Sequence, residues 1–318
     1  MNMTSRRDFL KGASLLTVGG MLVPELAFSA TAVKKNKAAK GKTLGLQTYS
    51  LGPELTKDGK MAEVLKKLHD AGYTDLELAG YDGNGKVSGV PMAEYKKMVD
   101  DAGLRVMSSH MNPRLDRGEK YGKATLSKIS DFWKKACEDH AVFEMPYIVQ
   151  PGLPGINSLE DAQAVAEVYN VAGEISKKYG MQWGYHNHDR EFGRVTAGGS
   201  HVNTDRHARD GRQIEKVFIT ETDPDKVAIE LDVYWTVMGG QDPVEWIDKY
   251  PTRIQLLHIK DRLVLGQSGM MNFEQIFKHF YANGQKTYFV EVEDIGSGHQ
   301  LERVQASAQY LISSKFVK

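Results

Sequence analysis

The chain has 318 residues, with 41 Lys plus Arg against 41 Asp plus Glu, so its formal net charge is zero. Apolar residues make up 41% and charged residues 26%, which excludes a disordered or collagen-like chain and lacks the basic excess of a nucleic-acid binder. The single cysteine, Cys137, excludes an intramolecular disulfide and any cysteine-cluster metal site.

The charge is unevenly placed. Residues 1–42 carry Arg6, Arg7, Lys11 and five further lysines against Asp8 and Glu25, a surplus of +6, and the remainder carries −6. Residues 4–11 read T-S-R-R-D-F-L-K, followed by an apolar stretch from Ala13 to Phe28 and small residues up to Ala32. A basic start, an apolar middle and a small-residue cleavage site make a secretory signal, and Gly19, Gly20 and Pro24 interrupt it too often for a stable membrane span. Arg6–Arg7 with Phe9, Leu10 and Lys11 resembles a twin-arginine signal, which implies the twin-arginine export machinery as a partner and the bacterial periplasm as destination. Residues 1–32 are thus expected to be signal, 33–42 a solvated basic linker and 43–318 one folded domain.

Beyond the linker, β-rich runs alternate with helical patterns. The predicted strands are Thr43–Tyr49, Asp75–Leu78, Arg105–Ser109, Tyr147–Gln150, Gln182–Asn187, Val227–Val233, Ile254–Ile259 and Thr287–Val292. Between them, apolar residues recur at helical spacing over Met61–Ala71, Met92–Ala102, Leu126–Glu138, Leu159–Tyr179, Pro243–Tyr250, Phe273–Ala282 and Gln300–Ser313. Residues 193–212 read as a long polar loop, with a short helix near Ile214–Ile219. Eight such units over roughly 275 residues predict an α/β fold, a (β/α)8 TIM barrel. A doubly wound open sheet fits less well, because no Gly-rich phosphate turn follows the first strand.

In such a barrel the chemistry sits at the C-terminal strand ends. Here those ends carry Glu77, His110, Gln150, His186, His188, Glu230, Asp232, His258, Lys260, Glu291 and Glu293. Period-two alternation puts His186 with His188, Glu230 with Asp232, His258 with Lys260, and Glu291 with Glu293 on common faces. Four consecutive strands thus offer imidazole and carboxylate to one centre, a set suited to one divalent ion: Mn²⁺ first, with Zn²⁺, Co²⁺ or Fe²⁺ as alternatives.

The runs Y-H-N-H-D-R-E-F (185–192), L-D-V-Y-W (231–235), L-H-I-K-D (257–261) and V-E (290–291) resemble the xylose isomerase-like TIM-barrel superfamily. That group includes sugar phosphate isomerases/epimerases, inosose dehydratases and endonuclease IV. The resemblance implies metal ligands at His186, Asp232, His258 and Glu291, with His188 as an alternative to His186. The usual strand-five glutamate is replaced by His186, and the L-H-x-K-D motif is similar to the inosose dehydratase branch. Trp235 stands where endonuclease IV has a further histidine, so a nuclease is disfavoured.

The implied chemistry is proton abstraction next to a carbonyl of an unphosphorylated sugar or keto-sugar, ending in isomerisation or epimerisation. Dehydratase or lyase chemistry on a keto-sugar, keto-glycoside or inosose is the alternative, and a non-catalytic carbohydrate-binding barrel is another. Glu291 or His188 would take the proton, and Lys260 or His188 would return one. A lysine beside a cation is expected to lose its charge readily. Tyr49 and Trp235 would stack on the sugar, and Glu77, His110, Gln150 and Glu191 would hydrogen-bond its hydroxyls. Monomer and homo-oligomer are both compatible with the sequence.

Overall fold

Eight parallel strands close into a ring: β1 (Gly45–Gln47), β2 (Asp75–Leu78), β3 (Arg105–Ser109), β4 (Tyr147–Gln150), β5 (Gln182–His186), β6 (Val227–Asp232), β7 (Ile254–Lys260) and β8 (Thr287–Glu291). Their hydrogen-bonded order is β3-β2-β1-β8-β7-β6-β5-β4. A parallel bridge from His110 to Val149 joins β3 to β4 and shuts the barrel. This is a computed structural model that describes residues 41–293 and 295–318. The expected signal and all but the end of the linker lie outside the described residues.

The outer layer consists of α1 (Met61–Ala71), α2 (Met92–Asp101), α3 (Leu126–His140), α4 (Leu159–Lys177), α5 (Ile214–Glu221), α6 (Val233–Met238), α7 (Pro243–Lys249), α8 (Phe273–Ala282) and α9 (Gln300–Ser313). Helix α1 illustrates why these segments coil. It buries Met61, Val64, Leu65, Leu68 and Ala71 on one stripe, and Gly72 ends it in the left-handed region at φ 111°. Lys42, expected in a solvated linker, instead donates to the carbonyls of Leu311, Ile312 and Ser314 at 3.2, 2.8 and 2.6 Å. The open carbonyls at the end of α9 draw its ammonium in. Among the described residues, no helix is long and apolar enough to cross a membrane.

Inside the ring, each strand sends alternate side chains inward. Ala228, Leu256 and Phe289 form an apolar floor, with Met107 and Tyr147 packed against it. Two residues further along the same strands stand Glu230, His258 and Glu291, and two further Asp232, Lys260 and Glu293. The interior therefore changes from apolar to ionisable toward the mouth. Gly45 lets β1 approach β8 closely, since a Cβ there would lie 2.1 Å from the Tyr288 carbonyl oxygen.

Candidate metal centre

Register brings the ligand-type residues side by side: His186 pairs with Glu230, Asp232 with His258, and Lys260 with Glu291. His186, Asp232, His258 and Glu291 each offer an atom such that all four lie within 4.8 Å of one another, and all four side chains are buried. His188 belongs to no such group; its side chain is 39% exposed at the mouth. The geometry therefore favours His186 as the strand-five ligand.

The donor set fits a divalent cation. Asp232 Oδ1 caps α6 by accepting from the Trp235 N–H at 2.8 Å, while its buried Oδ2 has no hydrogen-bond partner. His186 Nδ1 is likewise buried without one, on the side of the ring that faces Glu230. Orphaned oxygen and nitrogen atoms in a dry interior are costly unless a ligand satisfies them. Mixed imidazole and carboxylate donors suit first-row divalent metals better than Ca²⁺ or Mg²⁺.

The ionisable groups of the cluster set one another's protonation. Burial, only partly offset by Lys260 and His258, pushes the Asp232 carboxyl up to about 7. Burial and the neighbouring His258 and His110 drive the His186 imidazole well below its usual range. Burial opposes charge on His258 too, but Glu230 and Glu77 overcome it and favour the protonated ring, whose Nδ1 proton a bound cation would displace. For Glu291, burial is outweighed by Lys260 and His258, which keep its carboxyl well below the ordinary range.

Lys260 is ringed by carboxylates. Its Nζ lies 3.1 Å from Glu291 Oε2, 2.5 Å from Glu293 Oε1 and 4.0 Å from Asp232 Oδ2. Burial would lower its pKa, yet the three carboxylates raise it above the usual lysine value, so it stands as a charged ammonium. Nζ also lies 5.0 Å from the centroid of the Trp235 ring. His188 faces the same ring at 5.8 Å, and burial followed by the Lys260 charge lowers its imidazole to about 4.

Several residues expected to meet substrate hydroxyls are committed elsewhere. Glu77 is fully buried and accepts from Gln47 Nε2 at 2.8 Å and His258 Nε2 at 2.6 Å. Gln150 accepts from the Tyr121 hydroxyl at 3.1 Å and donates to the Gly152 carbonyl at 3.0 Å. Glu191 accepts from the Tyr185 hydroxyl at 2.5 Å and from the His188 N–H at 3.0 Å. His110 donates through Nε2 to Glu230 at 2.7 Å and stacks on His258 at 5.0 Å. Tyr49 leaves the barrel column because a 3-10 turn over Thr48–Leu55 begins there, and it is 50% exposed.

Sequence reasoning passed over Gln47, whose signal was a polar residue two before Tyr49 on the same strand face. It also gave no site role to Glu230, two before Asp232. Both line the layer beneath the centre.

The family model for xylose isomerase-like TIM barrels matches residues 65–314. A sugar phosphate isomerase/epimerase from Parabacteroides distasonis ATCC 8503 is 50% identical, matching 89% of this chain and 98% of its own, with a TM-score of 0.81. An L-ribulose 3-epimerase structure shares the fold at a TM-score of 0.63 and 15% identity, over 84% of this chain and 92% of its own. Over 89 residues, 28% of this chain, there is 33% identity to an inosose dehydratase from Lacticaseibacillus casei, and the match spans only 24% of that relative's length. The chain belongs to the xylose isomerase-like TIM-barrel family, among its sugar isomerase/epimerase-like members.

Proposed function

We propose that the protein is a divalent-metal-dependent enzyme that moves a proton next to the carbonyl of an unphosphorylated sugar or keto-sugar. The observation that carries this reading is the convergence of four buried ligand atoms beside a charged lysine at the barrel mouth. An ion held by His186, Asp232, His258 and Glu291 would supply Lewis acidity at the carbonyl, with Mn²⁺ favoured. His188 acts as base: its imidazole is neutral above about 4, and it reaches the mouth. Glu291 is the weaker base, because Lys260 and His258 stabilise its carboxylate. Lys260 returns the proton: an ion on Asp232 and Glu291 would occupy two of the carboxylates that hold its ammonium and so ease the proton's loss. Trp235, beside Lys260 and His188, offers an apolar face to the sugar ring.

A second reading, dehydration or β-elimination, is supported by the same ammonium, which can protonate a leaving hydroxyl, and by the segment similar to inosose dehydratase. Both readings require α-proton exchange. Mn²⁺-loaded protein incubated in deuterated water with a panel of keto-sugars and inososes should introduce deuterium beside the carbonyl. A new ultraviolet-absorbing unsaturated product would select elimination, whereas sugar binding without any exchange would mark a non-catalytic binding barrel.

A further inference from the structure

His186 and His258 lie with ring centroids 4.3 Å apart, and each ring meets carboxylates at both nitrogens. Toward the mouth, His258 Nδ1 is 3.2 Å from Glu291 Oε2, and His186 Nε2 is 4.0 Å from Asp232 Oδ2. Toward the floor, His258 Nε2 is 2.6 Å from Glu77 Oε2, and His186 Nδ1 is 3.3 Å from Glu230 Oε2, off the line of a hydrogen bond. Two groups of potential ligands therefore share the same two imidazoles. The outer one adds Asp232 and Glu291, and the inner one adds His110 and Glu230.

A neutral imidazole has one lone pair and one N–H. Cations in both groups at once would require each ring to bridge as an imidazolate, so the two positions exclude each other. Unpartnered buried atoms face both groups: Asp232 Oδ2 in the outer one, His186 Nδ1 and Glu230 Oε1 in the inner one. What separates them is His258, whose Nε2 is already engaged by Glu77 Oε2 at 2.6 Å.

We propose that Glu77 is a positioning residue. It accepts the Nε2–H of His258 and so selects the tautomer whose Nδ1 lone pair faces Glu291 and the outer group. Gln47 holds Glu77 in turn: its Nε2 donates to the carboxylate at 2.8 Å, and its Oε1 accepts from the Tyr49 N–H at 2.9 Å. Strand β1 thus sets the orientation of a ligand on β7 through one carboxylate on β2. A carboxylate behind a ligating histidine raises ligand basicity and fixes the ring. The inference rests on the metal reading above.

The test is Zn²⁺ affinity, measured by competition with a chromophoric chelator, together with an anomalous-diffraction structure of the Zn²⁺-loaded wild type. Glu77→Leu is expected to weaken binding by about 10- to 100-fold. Glu77→Gln, which keeps an acceptor oxygen, is expected to recover most of it. The structure should find Zn²⁺ on His258 Nδ1 with Glu77 on Nε2, a readout that holds even if Glu77→Leu does not fold. Zn²⁺ on His258 Nε2 beside Glu230 overturns the proposal, as does undiminished affinity in a folded Glu77→Leu variant. A wild type that binds no Zn²⁺ overturns the metal reading itself, and this inference with it.

Discussion

Lys260 and Glu291 are register partners on adjacent strands, and Lys260 Nζ donates to Glu291 Oε2 at 3.1 Å. On the proposed reading the pair joins a proton donor to a metal ligand; Glu291 also lies 3.2 Å from His258 Nδ1. Lys260→Met keeps much of the apolar stem and removes only the ammonium. Its kcat is expected to fall by about 100- to 10,000-fold, the usual contribution of a positioned acid. Metal content should remain at the wild-type level, since Lys260 is not a ligand. Steady-state kinetics with metal analysis of the same sample checks this.

The Trp235 ring lies 5.8 Å from His188 and 5.0 Å from Lys260 Nζ, where the proposed reading has it stack on the sugar. Trp235→Ala should raise KM by about tenfold, in line with the loss of 1–1.5 kcal/mol of aromatic contact. The change in kcat should be smaller. A kcat loss exceeding the KM effect would assign Trp235 to the chemistry instead.

His140 offers a test of the scaffold away from the centre. Its ring is buried between Ser109 Oγ at 3.0 Å and the Ala136 carbonyl at 2.8 Å, and burial lowers its pKa from 6.5 to about 4. The fold therefore favours the neutral ring. Its stabilising effect is complete above pH 6.5 and is lost as the pH falls toward 4, where the unfolded chain alone takes up the proton. The loss amounts to about 3 kcal/mol over that window. His140→Gln should flatten this part of the stability curve, measured by urea unfolding between neutral and acidic pH. Parallel curves for the two proteins would contradict the account.

Export can be tested separately. Residues 1–42 fused to a reporter that crosses only the twin-arginine route should deliver it to the periplasm of a bacterial host. Replacing Arg6 and Arg7 together by lysine should abolish delivery. Continued export of the double variant would remove the twin-arginine assignment.

The barrel was legible because burial on both faces leaves strong apolar runs, and α1 and β2–β4 begin and end where hydrophobic period and glycine caps place them. Helix α6 was not. The strand expected to reach Val233 ends at Asp232, and Tyr234, Trp235, Thr236 and Val237 are aromatic or β-branched residues with no helical pattern, so only the Asp232 cap marks the turn into helix. The loop after β5 likewise hides a short ribbon pairing Arg194–Val195 with Arg212–Gln213. Within the centre, the i, i+2 columns exposed Asp232, His258 and Glu291. The commitments of Glu77, Gln150 and Glu191 were invisible, because their partners Gln47, Tyr121 and Tyr185 lie on other elements or turn inward through packing. Side-chain alternation predicts which way a residue points, not what it meets.

Metal stoichiometry decides whether His186, Asp232, His258 and Glu291 hold an ion. Wild-type protein and the Asp232→Ala and His258→Ala variants would be stripped with chelator, incubated with Mn²⁺, dialysed and analysed by plasma mass spectrometry. The account predicts one ion per wild-type chain and loss of retention in both variants, each of which removes one of the four donors. A wild type that retains no ion, or variants that bind it as tightly as the wild type, would contradict it.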